Sequence, residues 1–250
     1  MISPLIYNNW LIAPQPVLQP RLRLFCFPYA GGTSQIFRTW PNHVPDGVEI
    51  VVIELPGRGR RFREKSFERV SPLVRALAEA IAPHLTIPFA FFGHSLGALV
   101  SFELARLLRE TSNVLPKVLY VSARKAPQLP KSRSIYHLPD SEFIAEIQKF
   151  NGTPTAIFES EEFKQIYLPS LRSDFSIIDR YEYVEKAPLP CPIVTFGGHS
   201  DRETNQEDLE AWQAQTSSHH ELRMMSGGHF FINTSTVPLL ASISSDLGLS

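Results

Sequence analysis

An α/β fold with a mostly parallel central sheet and helices on both faces is the class that this sequence predicts, on three observations. Short apolar runs alternate with segments of helical period along the chain. One run, Pro88-Phe89-Ala90-Phe91-Phe92, leads straight into Gly93-His94-Ser95-Leu96-Gly97 and a further helical pattern. With 250 residues and 43% hydrophobic content the chain can bury one large core, and length alone allows one or two domains.

The first strand is expected at 22–27, where Leu22-Arg23-Leu24-Phe25-Cys26-Phe27 alternates or is wholly apolar, as a central strand should be. It ends in Pro28-Tyr29-Ala30-Gly31-Gly32-Thr33, a loop with two consecutive glycines. Further strands are expected at 48–53, 89–92, 118–122, 193–196 and 221–225, with helices at 71–83, 96–111, 205–217 and near 236–247. Between 123 and 188 the rhythm breaks: helical patterns at 141–150 and 161–178 come without a convincing strand. Leu138-Pro139-Asp140-Ser141-Glu142-Phe143 supplies helix-start chemistry there. Taken alone, this stretch is either a long crossover or an insertion.

The serine motif is the most informative local feature. Gly-x-Ser-x-Gly between a buried strand and a helix is the context of a nucleophile elbow. The turn is so tight that side chains at 93 and 97 are expected to collide with the neighbouring strand and helix. The Ser95 hydroxyl then stands above the sheet edge at the positive end of a helix, where developing negative charge is favoured. Ser95 is read as the nucleophile.

Such a serine needs a base and a group to orient that base, which follow it in the order acid, then histidine. His229 sits in Ser226-Gly227-Gly228-His229-Phe230-Phe231, just beyond an apolar segment, and its glycines allow a sharp bend. The other histidines fit less well. His94 lies inside the elbow with its side chain directed away from Ser95, and His219 and His220 precede the last strand at its wrong end. His199 precedes Asp201 and reverses the order, while His43, His84 and His137 lie in regions away from the active edge.

Asp201 is the first carboxylate beyond Pro192-Ile193-Val194-Thr195-Phe196-Gly197-Gly198, 28 residues before His229, with a helix at 207–215 in between. Glu203, Glu207 and Asp208 are weaker rivals, since the first turns of a helix usually face solvent. For the oxyanion, one donor is the N–H of Leu96, after the nucleophile, and the other the N–H of Ala30 in the loop after an earlier strand. The glycine pair is not read as a phosphate site, because neither Gly-Lys-Ser/Thr nor Gly-x-Gly-x-x-Gly is present.

Five motifs, in order across nearly the whole chain, resemble the type II thioesterases, the stand-alone editing enzymes of nonribosomal peptide and polyketide synthases. They are Phe27-Pro28-Tyr29-Ala30-Gly31-Gly32 with Phe37 and Trp40; Glu54-Leu55-Pro56-Gly57-Arg58-Gly59-Arg60; Phe92 to Gly97; Leu168-Pro169-Ser170-Leu171-Arg172-Ser173-Asp174-Phe175; and Gly227 to Phe231. The sequence is also similar to the thioesterase that releases medium-chain fatty acids from animal fatty acid synthase. The resemblance implies an α/β-hydrolase fold over 1–250 with a helical lid insertion at about 123–188. It carries a triad to Ser95, Asp201 and His229, and the oxyanion amides to Ala30 and Leu96. One departure is Arg202 after the acid, where the family more often has proline. Phe143, Ile147, Phe150, Ile157, Phe158 and Phe175 are expected as either lid core or acyl-pocket wall.

The function so implied is hydrolysis of acyl groups from the phosphopantetheine arm of acyl or peptidyl carrier proteins, through an acyl-serine and without metal or organic cofactor. An esterase acting on free small esters, and a non-catalytic binding protein on a hydrolase scaffold, are the alternatives. Arg58, Arg60, Arg61, Arg63 and Lys65 form a dense basic cluster, read as a solvated loop balanced by Glu54, Glu64 and Glu68. Attraction of the arm's phosphate or of an acidic carrier face is the other reading of that cluster. A net charge of −1 argues against general nucleic-acid binding. Cys26 and Cys191 form no metal spacing and suggest a reducing compartment. The N-terminus lacks a signal-peptide pattern, and no apolar run approaches the ~18 residues of a membrane helix. A cytoplasmic monomer is expected.

Overall fold

The computed structural model describes residues 3–131, 133–150 and 160–248, the side chains of 162 and 163 excepted. Eight strands form one sheet: β1 (Leu5–Ile6), β2 (Leu11–Ala13), β3 (Leu22–Phe27), β4 (Val48–Ile53), β5 (Phe89–His94), β6 (Leu119–Ser122), β7 (Ile193–Gly198) and β8 (His220–Met225), in the order β1-β2-β4-β3-β5-β6-β7-β8. From β4 to β8 every neighbouring pair is parallel. The antiparallel hairpin β1-β2 borders β4. Parallel neighbours require crossovers, supplied by α1 (Val70–Ile81) before β5 and α2 (Leu96–Ser112) after it. The segment between β6 and β7 carries α3 (Asp140–Gln148) and α4 (Glu161–Arg180). Then α5 (Gln206–Glu210) leads into β8, and α6 (Phe231–Thr234) and α7 (Thr236–Leu247) close the chain.

The largely apolar strands β3, β5 and β6 are buried on both faces, and their alternation sorts side chains between two cores. Phe25, Phe27, Phe89, Phe91, Leu119 and Val121 pack with Leu73, Leu77 and Ile81 of α1 and Phe102 of α2. Leu24, Cys26, Ala90, Phe92 and Tyr120 pack on the other face with Leu239, Leu240 and Ile243 of α7 and with Phe37 and Trp40. Edge-on aromatic contacts stitch the second core, with Trp40 4.8 Å from Phe37 and 4.9 Å from Phe92. A third, smaller cluster joins Ile135, Phe143, Ile147, Leu168, Leu171 and Phe175 across α3 and α4.

The sequence reading differs from this architecture in several places. The β1-β2 hairpin is absent from it, because Leu5 and Ile6 are 41% and 47% exposed and too few to show a period. The helix expected at 205–217 is the short α5 followed by a 3₁₀ turn over Ala211–Gln215. Asn205 and Asp208 cap α5 reciprocally. Likewise α1 ends at Ile81, and Pro83 sits in a 3₁₀ turn, Ala82–His84. Pro169 lies inside α4, where it lacks an N–H for the helix ladder.

The glycines of the loops generate a stability prediction. A Cβ on Gly93 would fall on the backbone carbonyl of Gly97, which no side-chain rotation relieves. A Cβ on Gly228 meets nothing closer than Ser200 O at 3.5 Å. Gly93→Ala is therefore expected to lower unfolding stability by about 3 kcal/mol, and Gly228→Ala by less than about 0.5 kcal/mol. Urea unfolding of the two variants checks this; equal losses would contradict it.

Candidate active site

Because β3 and β5 to β8 run parallel, the loops that follow β3, β5, β7 and β8 all open at one edge of the sheet. At the end of β5 the chain turns directly into α2, and Ser95 takes φ 54° and ψ −110°. A non-glycine residue held there costs on the order of 1–3 kcal/mol, borne by the surrounding packing. The neighbours explain why the motif needs its glycines: Gly97 lies against the carbonyl of Phe27 at the end of β3 as closely as Gly93 lies against Gly97. The Ser95 N–H donates to Ser122 O at 2.8 Å, tying the turn to β6. Leu96 begins α2 with its side chain fully buried. An N–H at that position has no acceptor within the helix.

His94 points away from Ser95, as expected, but it is not idle. Fully buried, it places Nε2 2.9 Å from the backbone oxygen of His229 and Nδ1 2.8 Å from Ser122 Oγ. A carbonyl can only accept, so Nε2 carries the proton and Nδ1 accepts from the Ser122 hydroxyl. Burial, and then the neighbouring His229, push the His94 imidazole down to about 3, so it stays neutral. This bracing of the His229 backbone was not legible in the sequence, because it depends on residues 28 and 135 positions away.

His229 itself is buried at 8% exposure, beyond a turn in which Gly227 adopts φ 114°. Its Nδ1 lies 3.0 Å from Asp201 Oδ2. The Asp201 side chain is wholly buried. It also accepts from the N–H of Glu203 at 2.8 Å and from Thr204 Oγ1 at 2.9 Å. Burial raises the Asp201 carboxyl, but the hydrogen bond and charge of His229, with the hydrogen bonds from the Glu203 N–H and the Thr204 hydroxyl, outweigh it and hold it below its ordinary value. Of the rival acids, Glu207 is exposed and Asp208 is engaged in capping α5. Glu203 borders the cavity described next, and its backbone N–H donates to Asp201.

Ser95, Ala30 and His229 border one cavity of about 630 Å³. Apolar walls come from the segment between β6 and β7, with Ile147, Phe150, Leu171, Phe175 and Ile178, and from Ile36 and Phe230; the same segment also brings Lys125, Arg133, Glu146 and Lys149 to the lining. Phe143 is wholly buried and off the cavity wall, edge-on to Phe175 at 5.5 Å, so it belongs to the core of that segment. Ile157 and Phe158 lie outside the described residues. The structure thus joins Asp201 to His229 by a hydrogen bond and sets Ser95 in the same wall. Among the described residues the Ser95 hydroxyl makes no hydrogen bond to His229. Such bonds commonly tighten only when substrate is bound.

The basic cluster departs from its reading as a solvated loop. Arg60, Arg63 and Lys65 are exposed, but Arg58 and Arg61 are 2% and 7% exposed. Arg61 donates to Glu54 O and to Glu64, and covers the Trp10 ring at 3.9 Å. Arg58 pairs with Asp174 of α4. Arg61 meets acceptors on two residues, whereas Arg58 is matched by the two oxygens of Asp174 and keeps a buried Nε without a partner among the described residues. Among the described residues no group of three metal-ligating side chains forms a site, and no helix is long and apolar enough to cross a membrane.

Comparison with known proteins shows the family. The family model of the thioesterase domain matches residues 22–247. The chain is 43% identical to the linear gramicidin protein LgrE of Brevibacillus parabrevis, named a dehydrogenase, over 98% of this chain and 94% of that one. RedJ, a thioesterase from the prodiginine pathway of Streptomyces coelicolor, is 37% identical, with a TM-score of 0.86 over 92% of this chain and 94% of its own. BorB, a type II thioesterase from the borrelidin biosynthetic cluster, is 29% identical, with a TM-score of 0.88 over 96% and 98% of the two chains.

The neutral His94 generates a pH prediction. Its folded-state value lies far below the 6.5 of an unfolded histidine, so the stability it confers is complete above that pH and is lost as pH falls toward 3. In His94→Gln the amide still donates to His229 O but does not titrate. Between pH 6.5 and 4.5 the wild type is expected to lose stability more steeply than the variant, by up to about 1.4 kcal/mol per pH unit. Urea midpoints across that range measure the difference, and parallel curves would contradict it.

Proposed function

This chain belongs to the thioesterase family, alongside type II thioesterases of polyketide and nonribosomal peptide pathways, and from that premise we propose that it hydrolyses acyl thioesters held on the phosphopantetheine arm of acyl or peptidyl carrier proteins. The observation that carries the reading is the hydrogen-bonded pair His229–Asp201 beside a strained Ser95 in the wall of an apolar cavity. In this reading 1–250 is a single α/β-hydrolase domain, and 123–188 is a lid whose apolar side chains receive the acyl group.

The chemistry is acyl transfer to water in two steps. Ser95 Oγ attacks the thioester carbonyl carbon while His229 Nε2 takes its proton. Asp201 holds the other ring nitrogen and stabilises the imidazolium that forms. The negative charge on the carbonyl oxygen is met by the N–H groups of Ala30 and Leu96. Collapse of the tetrahedral intermediate breaks the C–S bond, and the departing thiol takes the proton from His229. Water then attacks the acyl-serine with His229 again as base, releasing the carboxylic acid and restoring the Ser95 hydroxyl. The role that fits such chemistry is clearance of misloaded or stalled acyl groups from carrier domains. Dehydrogenase chemistry, suggested by one relative's name, has no dinucleotide fingerprint in this sequence to support it.

Carrier recognition separates this reading from a general esterase. A docked carrier adds binding energy remote from the reacting carbonyl, which can be used to position it. For one acyl group, kcat/KM is expected to be at least tenfold higher on a carrier protein than on N-acetylcysteamine, with low selectivity among short and medium acyl groups. Equal values would leave a promiscuous hydrolase. Ser95→Ala should fold normally, lose labelling by a fluorophosphonate and lose turnover; activity within tenfold of wild type would mean that the nucleophile is another residue.

A further inference from the structure

The charged residues of two sequence motifs have no part in the chemistry above. Pro56-Gly57-Arg58-Gly59 follows β4, and Leu168 to Phe175 lies in α4, with Arg58 and Asp174 separated by 116 positions. They meet in a bidentate ion pair, Arg58 Nη1 to Asp174 Oδ2 at 2.5 Å and Nη2 to Oδ1 at 2.7 Å, with both side chains 2% exposed. The same Oδ2 accepts a further bond, from the backbone N–H of Gly31 at 2.7 Å.

That third bond falls on the loop that carries Ala30. Gly32 N–H bonds Tyr29 O at 2.8 Å, and Gly31 adopts φ +76°. These are the marks of a type II turn, with Ala30 and Gly31 at its centre. A type I turn differs from it chiefly by a flip of the central peptide, which here is the Ala30–Gly31 unit. Peptide planarity makes the Gly31 N–H and the Ala30 carbonyl turn together. Asp174 holds that N–H and therefore selects one of the two turns. α4 also leans on the glycines directly: a Cβ on Gly31 would meet Leu171 at 2.9 Å, and one on Gly57 would meet Ser170 at 3.2 Å.

We infer that Asp174, clamped by Arg58, is a positioning residue for the oxyanion loop: by fixing the Ala30–Gly31 peptide, the seating of α4 on the sheet anchors the turn on the far side of Ala30 and so places the residue whose own N–H, from the Tyr29–Ala30 peptide, faces the oxyanion. This rests on the reading of Ala30 N–H as an oxyanion donor. Stability alone gives the pair little reason to exist, since apolar side chains of similar volume commonly replace a buried ion pair at no loss. An apolar pair, however, offers Gly31 N–H no acceptor. The arrangement also makes the hole conditional on α4: a segment that lines the acyl cavity holds the loop that stabilises the oxyanion.

The test is the double variant Arg58→Met/Asp174→Leu, measured with a butyryl thioester of N-acetylcysteamine and with an alkylboronic acid, whose tetrahedral adduct on serine places an oxygen in the oxyanion hole. The expected result is a melting temperature near that of the wild type, kcat lower by about 100-fold, KM within threefold, and boronate affinity lowered in proportion to kcat. A folded double variant with kcat within threefold of wild type, or one affected only in KM, would overturn the inference. Should the double variant not fold, Asp174→Asn keeps the volume but weakens the clamp, and is expected to lose kcat about tenfold without a change in KM; unchanged kcat would overturn the inference equally. Failure of the underlying reading looks different, because Ser95→Ala would then retain turnover.

Discussion

The crossing of backbone against backbone at the end of β5 is the constraint on which the active edge depends. Gly93, Gly97 and Phe27 approach so closely that only hydrogen fits at the two glycines, and Ser95 between them is driven into a conformation that serine rarely takes. The strain is held by what lies on either side. β5 is buried on both faces among phenylalanines, and α2 buries Leu96, Leu99, Val100 and Phe102 immediately after the turn. The same closeness brings the end of β3, and with it the Tyr29–Gly32 turn, next to the serine.

From that crossing a continuous set of hydrogen bonds runs along the sheet edge. Ser122 on β6 accepts from the Ser95 backbone and pairs through its hydroxyl with His94; His94 holds the carbonyl of His229; His229 is held in turn by Asp201. Each link is buried or nearly so, and each histidine nitrogen along it has a partner of definite role, apart from His229 Nε2. Among the described residues that nitrogen has no hydrogen-bond partner, which leaves it available for the proton in the proposed first step. In the proposed reaction, a neutral His94 adds no repulsion to the imidazolium that His229 would become, which a charged neighbour would.

Much of this was legible in the sequence. Strands with unbroken apolar runs, such as Ile50–Ile53 and Phe89–Phe92, declare themselves, and the glycine motif located the turn between β5 and α2. The chain order of serine, acid and histidine led to Ser95 and His229, which border one cavity, and to Asp201, which is hydrogen-bonded to His229 behind it. What escaped was set by tertiary contact. Arg58 and Arg61 look like surface charge until Asp174 and Trp10 meet them from distant parts of the chain. The β1-β2 hairpin is too short and too exposed for periodicity. Phe143 and Phe150 have the same side chain and lie on or just beyond one helix, but only their placement in space divides core from cavity wall.

The central claim is that Ser95 carries the acyl group during turnover. Rapid quenching of the enzyme with an acyl carrier protein, followed by proteolysis and mass spectrometry, tests it directly. The account predicts that the peptide containing Ser95 gains the mass of the acyl group, with the modification on Ser95 itself, at a level that rises in His229→Ala only if the first step still proceeds. Acyl transfer to another residue, or steady turnover with no acylated Ser95 at any quench time under conditions where deacylation limits the rate, would contradict it.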